Sequence, residues 1–327
     1  MTEGSEPRIR DYMHRQLEII PQDATALTAA ARMRDRRVGS VFVESLDREQ
    51  RDCRIAGIIT ETDVIAKVLA KGRPAAATAA REIMSHPLLT IAPDRLMIDA
   101  GHLMERHHIR HLGVSDGTDI VGIISMRDMA KHFVETPSGP VQALNDVYSP
   151  LTVLMQKSLE TIDARETVAA AATRMAEKRI GSVFVVEAGE IVGIVTEADV
   201  VRKAVGDRID PAAMAIGSLV TSPLLDIDLN RSIRDACDVM ARNQVRHLAV
   251  RDQSKIVGVI SLRDWQRLRS LRTSDQAEGE LEELVSAHLG EWIVEKNPAG
   301  GRPSRIFRAF RQSDTDKTPP AGRKGWV

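Results

Sequence analysis

Gly57-Ile58-Ile59-Thr60-Glu61-Thr62-Asp63 decides the fold, because the chain carries this element four times. It returns as Gly122-Ile123-Ile124-Ser125-Met126-Arg127-Asp128, as Gly193-Ile194-Val195-Thr196-Glu197-Ala198-Asp199, and as Gly258-Val259-Ile260-Ser261-Leu262-Arg263-Asp264. The closing aspartates lie 65, 71 and 65 residues apart; the first and third, like the second and fourth, are separated by 136. A unit of this length has been doubled, and the doublet doubled again. A fixed period marks a repeat architecture, in which each block buries its apolar face against its neighbours.

Working outward from the element, each unit opens on a short apolar run followed by a helix with apolar residues at i, i+3, i+4 and i+7. That face is Val168, Ala171, Ala172 and Met175 in the third unit, and Ile233, Ala236, Cys237 and Met240 in the fourth. A β-branched strand, a turn, a second strand ending in the signature, and a second helix complete a β-α-β-β-α unit. The fold class is α+β, with units at 8–70, 78–135, 149–205 and 213–270. Residues 136–148, which include Thr136-Pro137-Ser138-Gly139-Pro140, read as a linker between the doublets. In the first unit, Glu44 to Arg54 is a polar insertion expected to form a longer loop. One unit has too little core to stand alone, so adjacent units should pair.

The chain has 327 residues, of which 43% are hydrophobic, 28% charged and only 3% aromatic, so its cores must be built from Ala, Val, Ile, Leu and Met. A net charge of −1 gives no global reason to bind nucleic acid or membrane. Cys53 and Cys237 occupy non-equivalent positions and read as free thiols. The N-terminus has no apolar segment of a signal peptide, and no apolar run reaches spanning length, which predicts a cytoplasmic protein.

The signature element has two compatible readings. Thr60, Ser125, Thr196 and Ser261 stand where a strand gives way to a helix, and an acid follows three residues later, the spacing of a capping box. The same position suits a site. A helix start attracts anionic oxygen, its acid can accept hydrogen bonds from ribose hydroxyls, and the recurrent glycine marks a close approach. Elsewhere no nucleophile–base pair, zinc spacing or phosphate loop appears, so catalysis has no candidate residues. His107, His108 and His111 suggest a metal, but Asn243 and Gln244 replace the first two in the fourth unit, which argues against one.

These four units resemble CBS domains (cystathionine-β-synthase type), and each doublet resembles a Bateman module. The resemblance covers roughly residues 8–270. It implies paired units with interface clefts that bind adenosine-containing ligands: AMP, ADP, ATP or S-adenosylmethionine. It also implies that Asp63, Asp128, Asp199 and Asp264 hold ribose, with Thr60, Ser125, Thr196 and Ser261 near ribose or phosphate. Thr90 and Thr161 match the family's adenine-contacting position, whereas Ile19 and Asp226 occupy it in the other units, so not all four clefts are expected to be filled.

Even units differ from odd ones. Arg110-His111 and Arg246-His247 precede a hairpin strand where odd units carry Gly39-Ser40 and Gly181-Ser182, and Arg127 and Arg263 directly precede the signature Asp. Cations beside a helix start are what a phosphate tail needs. The resulting expectation is a non-enzymatic regulatory protein with no obligatory cofactor, which senses adenine nucleotide or S-adenosylmethionine and signals to a protein partner. Whether it is a homodimer or a monomer with an internal pseudo-dimer is left open.

Residues 271–311 are expected to form a helix and a hairpin, followed by a disordered tail at 312–327. The hairpin loosely resembles a winged-helix wing and carries Arg302, Arg305, Arg308 and Arg311. It supplies the alternative of a ligand-responsive, DNA-binding transcriptional regulator.

Overall fold

The structure, a computed structural model, describes residues 7–45, 55–117, 119–135, 151–220, 223–264, 290–295 and 304–309. The 136–148 linker, most of the Glu44–Arg54 insertion, Cys53, the expected helix after residue 271 and the tail lie outside these.

Each unit contributes a three-stranded sheet. In the first, β1 (Ile19–Pro21) runs parallel to β2 (Ser40–Glu44), which pairs antiparallel with β3 (Ile55–Thr60). The pattern repeats in β4 (Thr90–Ile91), β5 (His111–Ser115) and β6 (Ile120–Ser125); in β7 (Thr161–Asp163), β8 (Ser182–Glu187) and β9 (Glu190–Thr196); and in β10 (Asp226–Asp228), β11 (His247–Asp252) and β12 (Lys255–Ser261). A separate antiparallel hairpin joins β13 (Gly290–Glu295) to β14 (Ser304–Ala309), with Trp292 opposite Phe307. Among the described residues, no helix is long and apolar enough to cross a membrane.

In the first, third and fourth units, the helix that follows the opening strand forms for local reasons. Thr25, Thr167 and Ser232 accept from backbone N–H groups at their helix starts, each satisfying a donor with no intrahelical partner. The buried faces are those the periodicity predicts, with Val168, Ala171, Ala172 and Met175 in the third unit and Ile233, Ala236, Cys237 and Met240 in the fourth. Burial pushes the Cys237 thiol up to about 12, so it is an apolar filler and not a reactive thiolate.

Two large cores hold the units together, and each crosses between modules. One joins the first and third units, packing Ala29, Ala30 and Val64 with Ala171, Val200 and Ala204. The other joins the second and fourth, packing Met104, Leu112 and Met129 with Ile233, Met240 and Leu248. Small alanine faces let these helices approach closely, which a core poor in aromatic rings requires. Within the first module, Phe42 and Ile58 pack with Leu88 and Ile123. The four units therefore close around a common centre.

At Gly57, Gly122 and Gly258 the signature glycine meets close protein atoms rather than open space for a ligand. A Cβ at Gly57 would lie 2.7 Å from the Ser85 carbonyl oxygen, on the segment that exchanges backbone bonds with Ile58. At Gly122 and Gly258 the first obstacle is instead a flexible sulfur, of Met13 or Met155, at 2.8 Å. Gly57→Ala should accordingly cost about 1–3 kcal/mol by urea denaturation, the usual price of overpacking, and more than Gly122→Ala or Gly258→Ala. Equal midpoints for Gly57→Ala and wild type would contradict this packing.

A candidate ligand site at the four-unit centre

Every signature aspartate ties off its own helix with one carboxylate oxygen. Oδ2 of Asp63, Asp128, Asp199 and Asp264 accepts from the backbone N–H of Thr60, Ser125, Thr196 and Ser261 at 2.7, 2.8, 3.0 and 2.8 Å. The same oxygen accepts from the hydroxyl of that residue at 2.6, 2.6, 2.7 and 2.6 Å. Capping is thus present in all four copies, and only Oδ1 is left to distinguish them.

Oδ1 divides the units into two kinds. In odd units it meets a lysine one turn on: Lys67 lies 2.7 Å from Asp63 and Lys203 lies 2.7 Å from Asp199. Asp63 also accepts from the Ser85 hydroxyl at 2.9 Å. In even units Oδ1 faces a side chain from the segment that opens the module, His14 at 2.8 Å from Asp128 and Gln156 at 3.0 Å from Asp264. His14 and Gln156 are equivalent, each exchanging two backbone hydrogen bonds with the last strand of an even unit, at Ile123 and Val259 respectively.

The even pair opens onto a cavity of about 880 Å³ at the centre, lined by all four units. Asp128, Asp264, Ser125 and Ser261 line it, together with Arg110, His111, Arg127, Arg246, His247 and Arg263. The structure thus brings ten of the sequence-selected residues together. It places Asp63, Asp199, Thr60 and Thr196 outside this lining. Thr90 and Thr161 are exposed on β4 and β7, also outside it.

The arginines are not equivalent. Arg110 and Arg246 are met from behind by two buried glutamates that sequence reasoning passed over. Glu197, 3% exposed, pairs with Arg110 at 2.8 Å. Glu61, 1% exposed, pairs with Arg246 and, at 2.7 Å, with Arg202. Each pair links the first module to the second. Arg127 has no such partner for its Nε, which is buried without a hydrogen bond among the described residues. Burial, and then the charge of Arg246, weaken the hold of Arg127 on its proton, so an incoming anion would relieve a like-charge conflict. Arg263 donates to the Arg179 carbonyl at 2.9 Å.

Burial, with the charges of Arg110 and Arg246, pushes His111 down to about 3. Burial, with Arg246, Arg110 and Arg263, does the same to His247. Both imidazoles are neutral near pH 7, able to exchange a hydrogen bond with a ligand but not to supply charge. Odd-unit glycines make room for them: a Cβ on Gly181 would lie 3.0 Å from His247 Nε2, and one on Gly39 lies 3.4 Å from His111 Nε2. The odd Gly-Ser and the even Arg-His are therefore two sides of one interface.

Four paired repeat units around a shared polar cavity define a tandem-repeat scaffold of internal pseudo-twofold design. The chain belongs to the CBS domain family, whose model matches residues 9–70, 80–135, 151–206 and 216–269. It is 28% identical over 320 residues to the Meiotically up-regulated gene 70 protein of Schizosaccharomyces pombe, covering 80% of this chain and 42% of that protein. It is 22% identical over 266 residues to the CBS domain-containing protein CBSCBSPB3 of Arabidopsis thaliana, covering 72% of this chain and 47% of that one. The chain spans less than half the length of these two relatives. Among solved structures, protein MJ1225 of Methanocaldococcus jannaschii matches with a TM-score of 0.64 at 15% identity, over 80% of this chain and 99% of that chain. That likeness shows the fold.

Proposed function

We propose that the chain is a non-enzymatic regulatory protein that binds adenosine-containing ligands at Asp128 and Asp264 and signals their presence to a protein partner. The observation that carries this reading is the convergence of both even-unit carboxylates and their adjacent arginines on one cavity. A carboxylate oxygen that accepts from an exchangeable side chain can accept from a ribose hydroxyl instead, and Arg127 and Arg263 stand where a phosphate needs cations. Adenine enters from the family resemblance. The lysine-bound carboxylates of the odd units are closed by comparison, so two ligands per chain are expected and not four.

Signalling would follow from the position of the cavity. A ligand there touches both modules, so it favours the module packing that it fits best, by no more than its difference in affinity for the alternatives. Calorimetric titration of the full chain with AMP, ATP and S-adenosylmethionine tests the reading. Saturable binding of one of them is expected; no heat and no thermal shift with any of the three at millimolar concentration would overturn it.

A further inference from the structure

We propose that His14 is a proton-operated stopper on the ligand carboxylate of the second unit, so that one of the two cavity sites responds to pH while the other does not. This rests on the reading that Asp128 and Asp264 hold the ligand. Asp128 has Oδ2 committed to its helix start, and its remaining oxygen, Oδ1, accepts from His14 Nε2 at 2.8 Å. A ribose hydroxyl that takes the place His14 holds on that oxygen must displace the imidazole. At the matching place in the fourth unit the donor is Gln156, an amide with no charge to gain or lose. The two sites therefore differ in one exchangeable contact. One donor is titratable near neutral pH, and the other is not.

The geometry suits a stopper. The His14 backbone is pinned by reciprocal bonds to Ile123 at 2.9 Å, while its side chain is 67% exposed over a carboxylate that is 11% exposed. The ring can swing away without moving the chain. The hydrogen bond to Asp128 raises the His14 pKa above the ordinary 6.5; burial lowers it, the charge of Asp128 raises it, and Lys131 and Arg127 lower it. For Asp128, burial acts upward, but the bonds from His14 and Ser125 outweigh it and hold the carboxyl below its usual range. Both shifts favour the ionic pair. The charged groups facing His14 lie on the helix Met126–Glu135; β6, packed against it, carries no titratable residue, and Arg15 and Glu18 of its own segment line the same cavity. Below its pKa the imidazolium holds Asp128 as an ion pair, and above it the neutral ring is the weaker competitor. Affinity at this site should thus rise with pH.

The test isolates the second-unit site in an Asp264→Ala background and titrates AMP calorimetrically from about pH 5.5 to about 8.5, a range that brackets histidine ionisation. His14→Gln in the same background gives this site the donor of the fourth unit and reports the titration of the AMP phosphate itself. The ratio of the two affinities should move towards the histidine protein as pH rises, by at most about tenfold per pH unit, the ceiling for one linked proton. By reciprocity, saturating AMP should lower the pKa of His14 followed by NMR in the otherwise unaltered chain. A flat ratio, or an unmoved His14 pKa, would overturn the stopper alone. A ratio that falls with pH would show His14 gripping phosphate instead, and would overturn it too. No AMP binding by either protein at any pH would overturn the reading of the cavity and the stopper with it.

Discussion

Glu61→Ala should unfold at a much lower urea concentration than wild type, losing about 3–5 kcal/mol, the range seen when one partner is removed from a buried ion pair. Glu61 is 1% exposed and lies between Arg246 and Arg202, on two different units of the second module. Without it, two guanidinium groups remain in a poorly solvated interface, and Arg202 already holds a buried Nε with no hydrogen bond among the described residues. Glu197→Ala should cost less. Among the described residues Glu197 pairs with one arginine, Arg110, and accepts from Thr62; Ala66 stands where the second module has Arg202. Burial acts to raise the Glu61 pKa, but Arg246 and Arg202 outweigh it, so the carboxyl sits below its ordinary 4.5. A lowered folded-state value means that the stabilisation is complete above 4.5 and fades as pH falls below it through the folded value. The gap between wild type and Glu61→Ala should therefore narrow in acid. Equal urea midpoints at neutral pH would show that the pairs do not join the modules.

The second large effect falls on ligand binding. Asp128→Ala and Asp264→Ala each remove a charged acceptor, and one hydrogen bond to a charged group contributes about 1.5–3 kcal/mol, roughly 10- to 150-fold in affinity. Both substitutions also remove a helix cap, so a stability loss of about 1 kcal/mol should accompany the binding loss. Asp63→Ala and Asp199→Ala share that stability cost, because their Oδ2 atoms do the same capping. They should leave affinity within about a factor of two, as residues outside the site do. Capping and binding, inseparable in any single copy of the signature, are separated by this comparison.

The repeat, the apolar helix faces and the distinction between even and odd units were all legible in the sequence. Each is a local or periodic property, and the 136-residue spacing makes every feature its own control. Less could be read of the site. The lysines at Asp63 and Asp199 were visible as i,i+4 partners, yet that spacing usually means only a solvated surface pair. Glu61 and Glu197 looked like ordinary acids in a helix first turn, where the helix dipole favours them anyway. Their burial comes from arginines on units far along the chain, so no local pattern announces it. Arg110 and Arg246 were read as phosphate cations. They do line the cavity, but their charge is already met by glutamates. Gly57 was read as space for ligand or backbone, and the Ser85 carbonyl occupies that space.

The most direct test of the account is a calorimetric ATP titration of three proteins: wild type, Asp128→Ala/Asp264→Ala, and Asp63→Ala/Asp199→Ala. Two sites per chain are expected in wild type and in the odd-unit double variant, with binding lost from the even-unit variant while all three remain folded. Binding that survives in the even-unit variant and disappears from the odd-unit one would contradict it.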